Sequence, residues 1–169
     1  NRWLNENAYR FTVIAPPWID IVSNGPTTAS EWDAPSVSLL SISNGAKVMP
    51  RVRVRDVDSL MKVVETDIVK KAVARGVDGV FVDASECDIN KMPPLVSWLT
   101  RFNDQLQANK IGLVLQLPTG IEKLSSSINV VKMLPGVILV GDNLESFNLP
   151  SDRAMPVVYV PPSDINQTL

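Results

Sequence analysis

Apolar positions along the chain fall into two alternating kinds of segment. Short β-rich runs occur at Phe11–Ala15, Val48–Val54, Gly79–Ala84, Ile111–Leu117, Val137–Val140 and Val157–Val160. Between them the spacing changes to helical. From about Asp58 to Arg75, residues Leu60, Met61, Val64, Ile68, Val69, Ala72 and Val73 form one stripe, and Gly76 supplies a C-terminal stop. A second helix starts at the Pro93-Pro94 pair and carries Leu95, Trp98, Leu99, Phe102 and Leu106 inward. Thr119-Gly120-Ile121-Glu122 reads as the capping box of a third, which ends at Pro135-Gly136. Ser23–Ser36 reads as a loop, followed by a short helical piece near Val37–Ser43.

Strands separated by helices of a dozen or more residues pair in parallel through crossovers, so the expected class is α/β. Two architectures fit: a parallel (β/α) barrel, or an open doubly wound sheet. A complete eight-stranded barrel takes about 250 residues. This chain has 169 and about six or seven strands, so the barrel would be shortened or incomplete. No linker or charge block divides it, and 1–169 reads as a single domain. It opens at Asn1 rather than Met, which suits a processed product or a module of a longer protein.

Charge changes the picture inside two strands, where parallel sheets are normally apolar on both faces. In the first, Val48, Pro50, Val52 and Val54 share one face, while Met49, Arg51, Arg53 and Arg55 share the other. In the second, Val80, Val82 and Ala84 oppose Phe81, Asp83 and Ser85. If the valines meet the helices, the arginines and Asp83 share the other face, at the strand carboxyl ends where α/β folds place ligands. The alternative is an Arg53–Asp83 pair that holds neighbouring strands together, since a buried charge requires a partner. Arg55 reads as a solvated strand-end charge.

Composition narrows the chemistry. With 16 basic and 18 acidic residues the net charge is −2, which lacks the basic footprint of a nucleic-acid binder. A hydrophobic content of 45% fits a folded domain, and no apolar run is long enough to span a membrane. Zero histidines exclude Ser-His-Asp and Cys-His catalysis and histidine metal sites, and the single Cys87 excludes an internal disulfide. No metal or cofactor is expected. Cys87, between Glu86 and Asp88, lacks the cationic setting that activates a thiol.

The residues around these strands resemble glycoside hydrolase family 18, the chitinases, in particular the divergent chitinase-domain-containing branch. Phe11–Trp18 and Lys47–Val52 resemble that family's first two strands. Asp78-Gly79-Val80-Phe81-Val82-Asp83-Ala84-Ser85 resembles its catalytic strand, D-x-x-D-x-D-x-E. The resemblance implies a (β/α)8 barrel and favours the barrel over the open sheet. Asp78 and Asp83 fall on the first and third aspartates, Phe81 replaces the middle one, and Ser85 stands where the family has its proton-donating glutamate. Asp142, in Leu139-Val140-Gly141-Asp142, matches the aspartate of the family's M-x-Y-D, while Gly141 replaces its tyrosine. The tryptophan of the family's last strand has no counterpart. A serine hydroxyl is no general acid near neutral pH, so ordinary chitinase activity is not expected. Glu86 could substitute only through a bulge. Asp78 also reads as turn chemistry beside Gly76 and Gly79.

The leading expectation is a catalytically degenerate chitinase-like domain whose strand-end mouth binds an oligo- or polysaccharide, N-acetylglucosamine-containing if the resemblance carries over, or a protein partner. Trp18, Trp32, Tyr159 and Gln116 are candidate sugar contacts, with Arg51, Arg53 and Ser85. The alternatives are a glycosidase using Asp83 with Asp142 or Glu86, with Asp78 as a further catalytic candidate, and a non-catalytic structural module of a larger assembly. The resemblance and the sequon at Asn166 point toward a secreted or lumenal protein.

Overall fold

The structure is a computed structural model that describes residues 13–28, 47–118, 137–140 and 154–155. Nine strands occur there: β1 (Val13–Ile14), β2 (Pro17–Val22), β3 (Gly25–Thr28), β4 (Lys47–Val48), β5 (Arg51–Val54), β6 (Gly79–Asp83), β7 (Gly112–Gln116), β8 (Ile138–Val140) and β9 (Ala154–Met155). The helices are α1 (Val57–Leu60), α2 (Glu65–Ala74) and α3 (Met92–Ala108).

Seven strands form one sheet in the order β3-β2-β5-β6-β7-β8-β9, parallel throughout except for the antiparallel β2–β3 pair. Apart from β3, which folds back as a hairpin on the other side of β2, each new strand of this sheet adds to the same side of the last. A doubly wound sheet reverses its order at a switch point; this one does not, so the open doubly wound alternative is set aside. Among the described residues the two edges do not meet, and the architecture is that of a shortened, unclosed (β/α) barrel.

β1 and β4 pair ahead of β2 and β5, each separated from its successor by a short interruption carrying proline (Pro16, Pro50). Between Pro17 and Ile19, β2 advances two residues while β5 advances one, from Arg51 to Val52. Trp18 is the extra residue of this bulge. Trp18 and Ile19 consequently both enter the helix-side core, which strict alternation forbids. The stretch expected as a loop from Ser23 onward instead turns through Ser23-Asn24 into β3, a hairpin with Gly25 at φ +102°. Pro26 is tolerated because β3 is an edge strand.

The helices cover one face of the sheet. Val52, Val54, Val80, Val82, Leu113 and Leu115 meet Leu60, Ile68, Ala72, Leu99, Phe102 and Leu106 in one buried cluster. Burying each large side chain is worth roughly 1.5–3 kcal/mol, so this layer supplies most of the cohesion. The single helix expected over 58–75 is two, because the chain leaves the helix after Leu60 and re-enters it only at Glu65, with Val64 as the extended residue before it. The break frees the Val63 carbonyl, which accepts from Trp98 Nε1 at 3.3 Å. It also rotates Met61, Val64 and Val73 out of the expected stripe to the surface. α2 ends as expected: Gly76, at φ +61°, donates to the Val73 carbonyl and Val77 to that of Ala72. Pro93 and Pro94 occupy the first turn of α3, and Trp98 stacks on Phe102 in the core. The third helix, the Val37–Ser43 piece and the Val157–Val160 strand lie outside the described residues.

Candidate functional site

The strand face turned away from the helices carries the polar residues, as alternation predicts. Its lower part is apolar: Met49 and Val114 are buried there, with Val13 and Phe81 packed against them. Gly79 makes this floor possible. A Cβ at that position would lie 3.0 Å from both Met49 Cε and the Gly112 carbonyl oxygen. Above the floor the register sets Arg51 beside Phe81, and then Arg53 beside Asp83 beside Gln116. The inner face therefore grades from an apolar base to a charged row at the strand carboxyl ends.

Asp83, the last residue of β6, is only 6% exposed. Its Oδ1 accepts from the Ser85 backbone N–H at 3.1 Å and the Ser85 hydroxyl at 2.6 Å, closing the turn that follows the strand. Its Oδ2 faces Arg51 Nη1 at 3.8 Å and Arg53 Nε at 4.0 Å, which is ion-pair range without a hydrogen bond. Both arginines thus flank one carboxylate, and the expected Arg53–Asp83 pairing is looser and shared. Arg51 and Arg53 are each about a quarter to a third exposed, yet their Nε atoms are buried and have no hydrogen-bond acceptor.

Glu86 reaches this row without any strand bulge. The strand ends at Asp83, and the turn closed by the Cys87 N–H on the Ala84 carbonyl carries Glu86 back over the arginines. One Glu86 oxygen accepts from Arg53 Nη2, and the other lies 3.6 Å from Arg55 Nε. Arg55 also faces Asp20 at 3.8 Å, so it is an ion-pair residue and not simply a solvated charge. Asp20 lies in β2, beyond the Phe11–Ala15 run that the apolar pattern marks, so the sequence pattern does not single it out.

Two candidates are relocated. Trp18 is 1% exposed, in the helix-side core at the start of β2, with the Arg75 guanidinium 5.8 Å from its ring centroid. It has no face open to a sugar, because the bulge turned it inward. Asp78 precedes β6 at the end opposite to Asp83, about 16 Å away at strand rise, and its Oδ2 accepts from the Val48 N–H at 2.8 Å. The bond ties the entry of β6 to β4, and the separation keeps Asp78 from sharing a reacting group with Asp83. Ser85, Gln116, Arg51 and Arg53 do converge with Asp83. Asp142, Gly141, Tyr159, Trp32 and Asn166 lie outside the described residues.

Cys87 points the other way, into the helix-side core. Its Sγ donates to the Val54 carbonyl at 3.2 Å, and burial, reinforced by Asp83, Asp56 and Glu86, pushes the thiol up to about 12. A shallow groove between α2 and α3, lined by Val69, Val73 and Gln105 among others, lies among the helices on the other side of the sheet from the charged row. Among the described residues no three side chains form a metal-binding group, and no helix is long and apolar enough to cross a membrane.

No protein-family profile and no curated protein sequence matches the chain. Solved structures do resemble it. The spore cortex-lytic enzyme SleL of Bacillus megaterium superposes with a TM-score of 0.71 at 11% identity, over 92% of this chain and 45% of that one. A chitinase from Chromobacterium violaceum superposes with a TM-score of 0.62 at 12% identity, over 90% of this chain and 62% of that one. The fold is therefore that of chitinase-like glycoside hydrolases, and the chain spans about half to three-fifths of the length of these neighbours.

Proposed function

We propose that this chain is a catalytically degenerate chitinase-like domain that holds a saccharide on its inner sheet face and does not hydrolyse it. The observation that carries this reading is the Ser85 hydroxyl, 2.6 Å from the Asp83 carboxylate. Glycoside hydrolysis requires a carboxylic acid that delivers a proton to the leaving oxygen. Ser85 occupies the position at which the resemblance puts that acid, and its own proton is committed to Asp83. The neighbouring acid, Glu86, has both oxygens turned to guanidinium groups, which are donors only and can neither supply nor receive its proton.

Binding is supported by the arrangement that remains. Half-buried Phe81 offers an apolar surface to the flat face of a sugar ring, and Arg51, Arg53 and Gln116 on the same face carry donors for hydroxyls. The two structural neighbours are named as a spore cortex-lytic enzyme and a chitinase, which agrees with a saccharide as the occupant. Calorimetric titration with chito-oligosaccharides, run beside an assay for newly released reducing ends, tests the reading. Binding without release is expected. Release of reducing ends that disappears in Asp83→Asn would replace it with an active glycosidase; binding to no glycan would leave the face to a protein partner.

A further inference from the structure

Arg51 stands out within the charged row. Arg53 has Glu86, and Arg55 has Glu86 and Asp20, but among the described residues the Arg51 side chain hydrogen-bonds to nothing. The carboxylate beside it, Asp83 Oδ2, is 3.8 Å away and stands between two arginines, while Asp83 Oδ1 is taken by Ser85. Its Nε is sealed from solvent without an acceptor, and the side chain as a whole keeps 30% of its surface. A buried donor without an acceptor is a standing penalty in the empty protein. That donor stays closed to a ligand, but Nη1 and Nη2 are neither hydrogen-bonded nor sealed, and an arriving ligand can supply their acceptor.

The surroundings indicate the kind of acceptor. Arg51 lies beside Phe81 in register, at the boundary between the apolar floor and the charged row. A guanidinium presents a planar fork of N–H groups that fits a carboxylate in a two-point contact, and the attraction is strengthened where one side is apolar. A neutral hydroxyl would satisfy one donor, and Asp83 at 3.8 Å gives the guanidinium an opposite charge but no hydrogen bond. We infer that the saccharide bound on the inner face bears a carboxylate, which Arg51 receives, while a ring of the same ligand rests on Phe81. This inference rests on the proposed saccharide-binding role.

The probes are a neutral chito-oligosaccharide and a hyaluronan oligosaccharide of equal length, which shares the N-acetylglucosamine units but adds carboxylates. The hyaluronan probe is expected to bind about 10- to 100-fold more tightly, the range of a charged hydrogen-bonded contact. Its affinity should fall with added salt, while that of the neutral probe holds. R51Q should erase the difference, weakening the hyaluronan probe far more than the neutral one, which loses only a hydroxyl contact, and R51K should retain part of it. Equal binding of the two probes, a ratio unchanged in R51Q, or a salt-independent preference overturns the inference while the saccharide-binding role stands. Binding of neither probe overturns both. If R51Q does not fold, the salt dependence of the unaltered protein decides the matter alone.

Discussion

Removing the Asp83 charge, and then its oxygens, should separate two contributions that meet at one residue. At 3.8 and 4.0 Å and an effective dielectric of about 20, each Arg–Asp83 attraction amounts to about 4 kcal/mol before desolvation. Burying the carboxylate gives back several kcal/mol, and the arginines are partly solvated, so the net value of the charge falls to about 1–2 kcal/mol. The two Ser85 donors to Oδ1 add about 1.5–3 kcal/mol, because they are hydrogen bonds to a charged group. Asp83→Asn keeps an acceptor for the turn and should cost about 1–2 kcal/mol. Asp83→Ala loses the turn as well and should cost about 3–5 kcal/mol. Urea unfolding followed by tryptophan fluorescence measures both. A parallel thermal scan should move by about 2–4 °C per kcal/mol in a chain of 169 residues. If the two variants cost the same, the turn contributes nothing. If Asp83→Ala stays within about 0.5 kcal/mol of the parent, Asp83 does not organise this face, and the reasoning about the charged row fails with it.

The floor of the inner face can be tested at Gly79, where alanine should cost about 1–3 kcal/mol by overpacking against Met49 and the Gly112 carbonyl. Adding Met49→Ala should recover only part of that, since the backbone contact remains; full recovery in urea melts would contradict the geometry. Cys87 should resist Ellman's reagent at pH 8 until urea unfolds the protein, because its thiol is pushed up to about 12 and is buried; prompt native labelling would refute this. Asp56 caps α1 through Ser59, and the hydrogen bond holds its carboxyl below the usual range. Because the folded value is lowered, its stabilisation is present above pH ~4 and lost as the pH falls through the folded value. The helical circular-dichroism signal of Asp56→Ala should accordingly show a weaker acid transition than that of the parent.

Much of the fold was legible because parallel strands and amphipathic helices leave strong periodic marks. The valines of β5 and β6 pointed to the helix layer, and the arginines took the other face. Gly76 and the Pro93-Pro94 pair marked helix ends at which backbone chemistry permits few other residues. What the sequence concealed was local irregularity. Trp18, expected just past the first strand, lies inside β2 as the residue its bulge inserts, and so sits in the core and not at the mouth. β3 was hidden because Gly-Pro-Thr-Thr has no alternation and owes its strand state to the hairpin. The stripe over 58–75 continued across Val63-Val64 as a pattern, but the carbonyl freed at the break is satisfied by Trp98, a partner far along the chain.

The site divides along the same line. That Arg51, Arg53 and Asp83 share a face followed from alternation alone, whereas the return of Glu86 depended on where β6 stops, which alternation does not encode. The distances then favour a ligand face over a purely structural pair. An arginine–carboxylate pair selected for cohesion settles into two-point contacts near 2.8 Å. Here Ser85 holds one Asp83 oxygen in the turn, and the other stands 3.8 and 4.0 Å from two guanidiniums. Rotating Asp83 toward Arg51 would break the turn, and rotating it toward Arg53 would take the carboxylate farther from Arg51. The Nε atoms of Arg51 and Arg53 therefore both stay without an acceptor, and at Arg51, beside Phe81, the proposed acidic sugar would supply one to the terminal nitrogens.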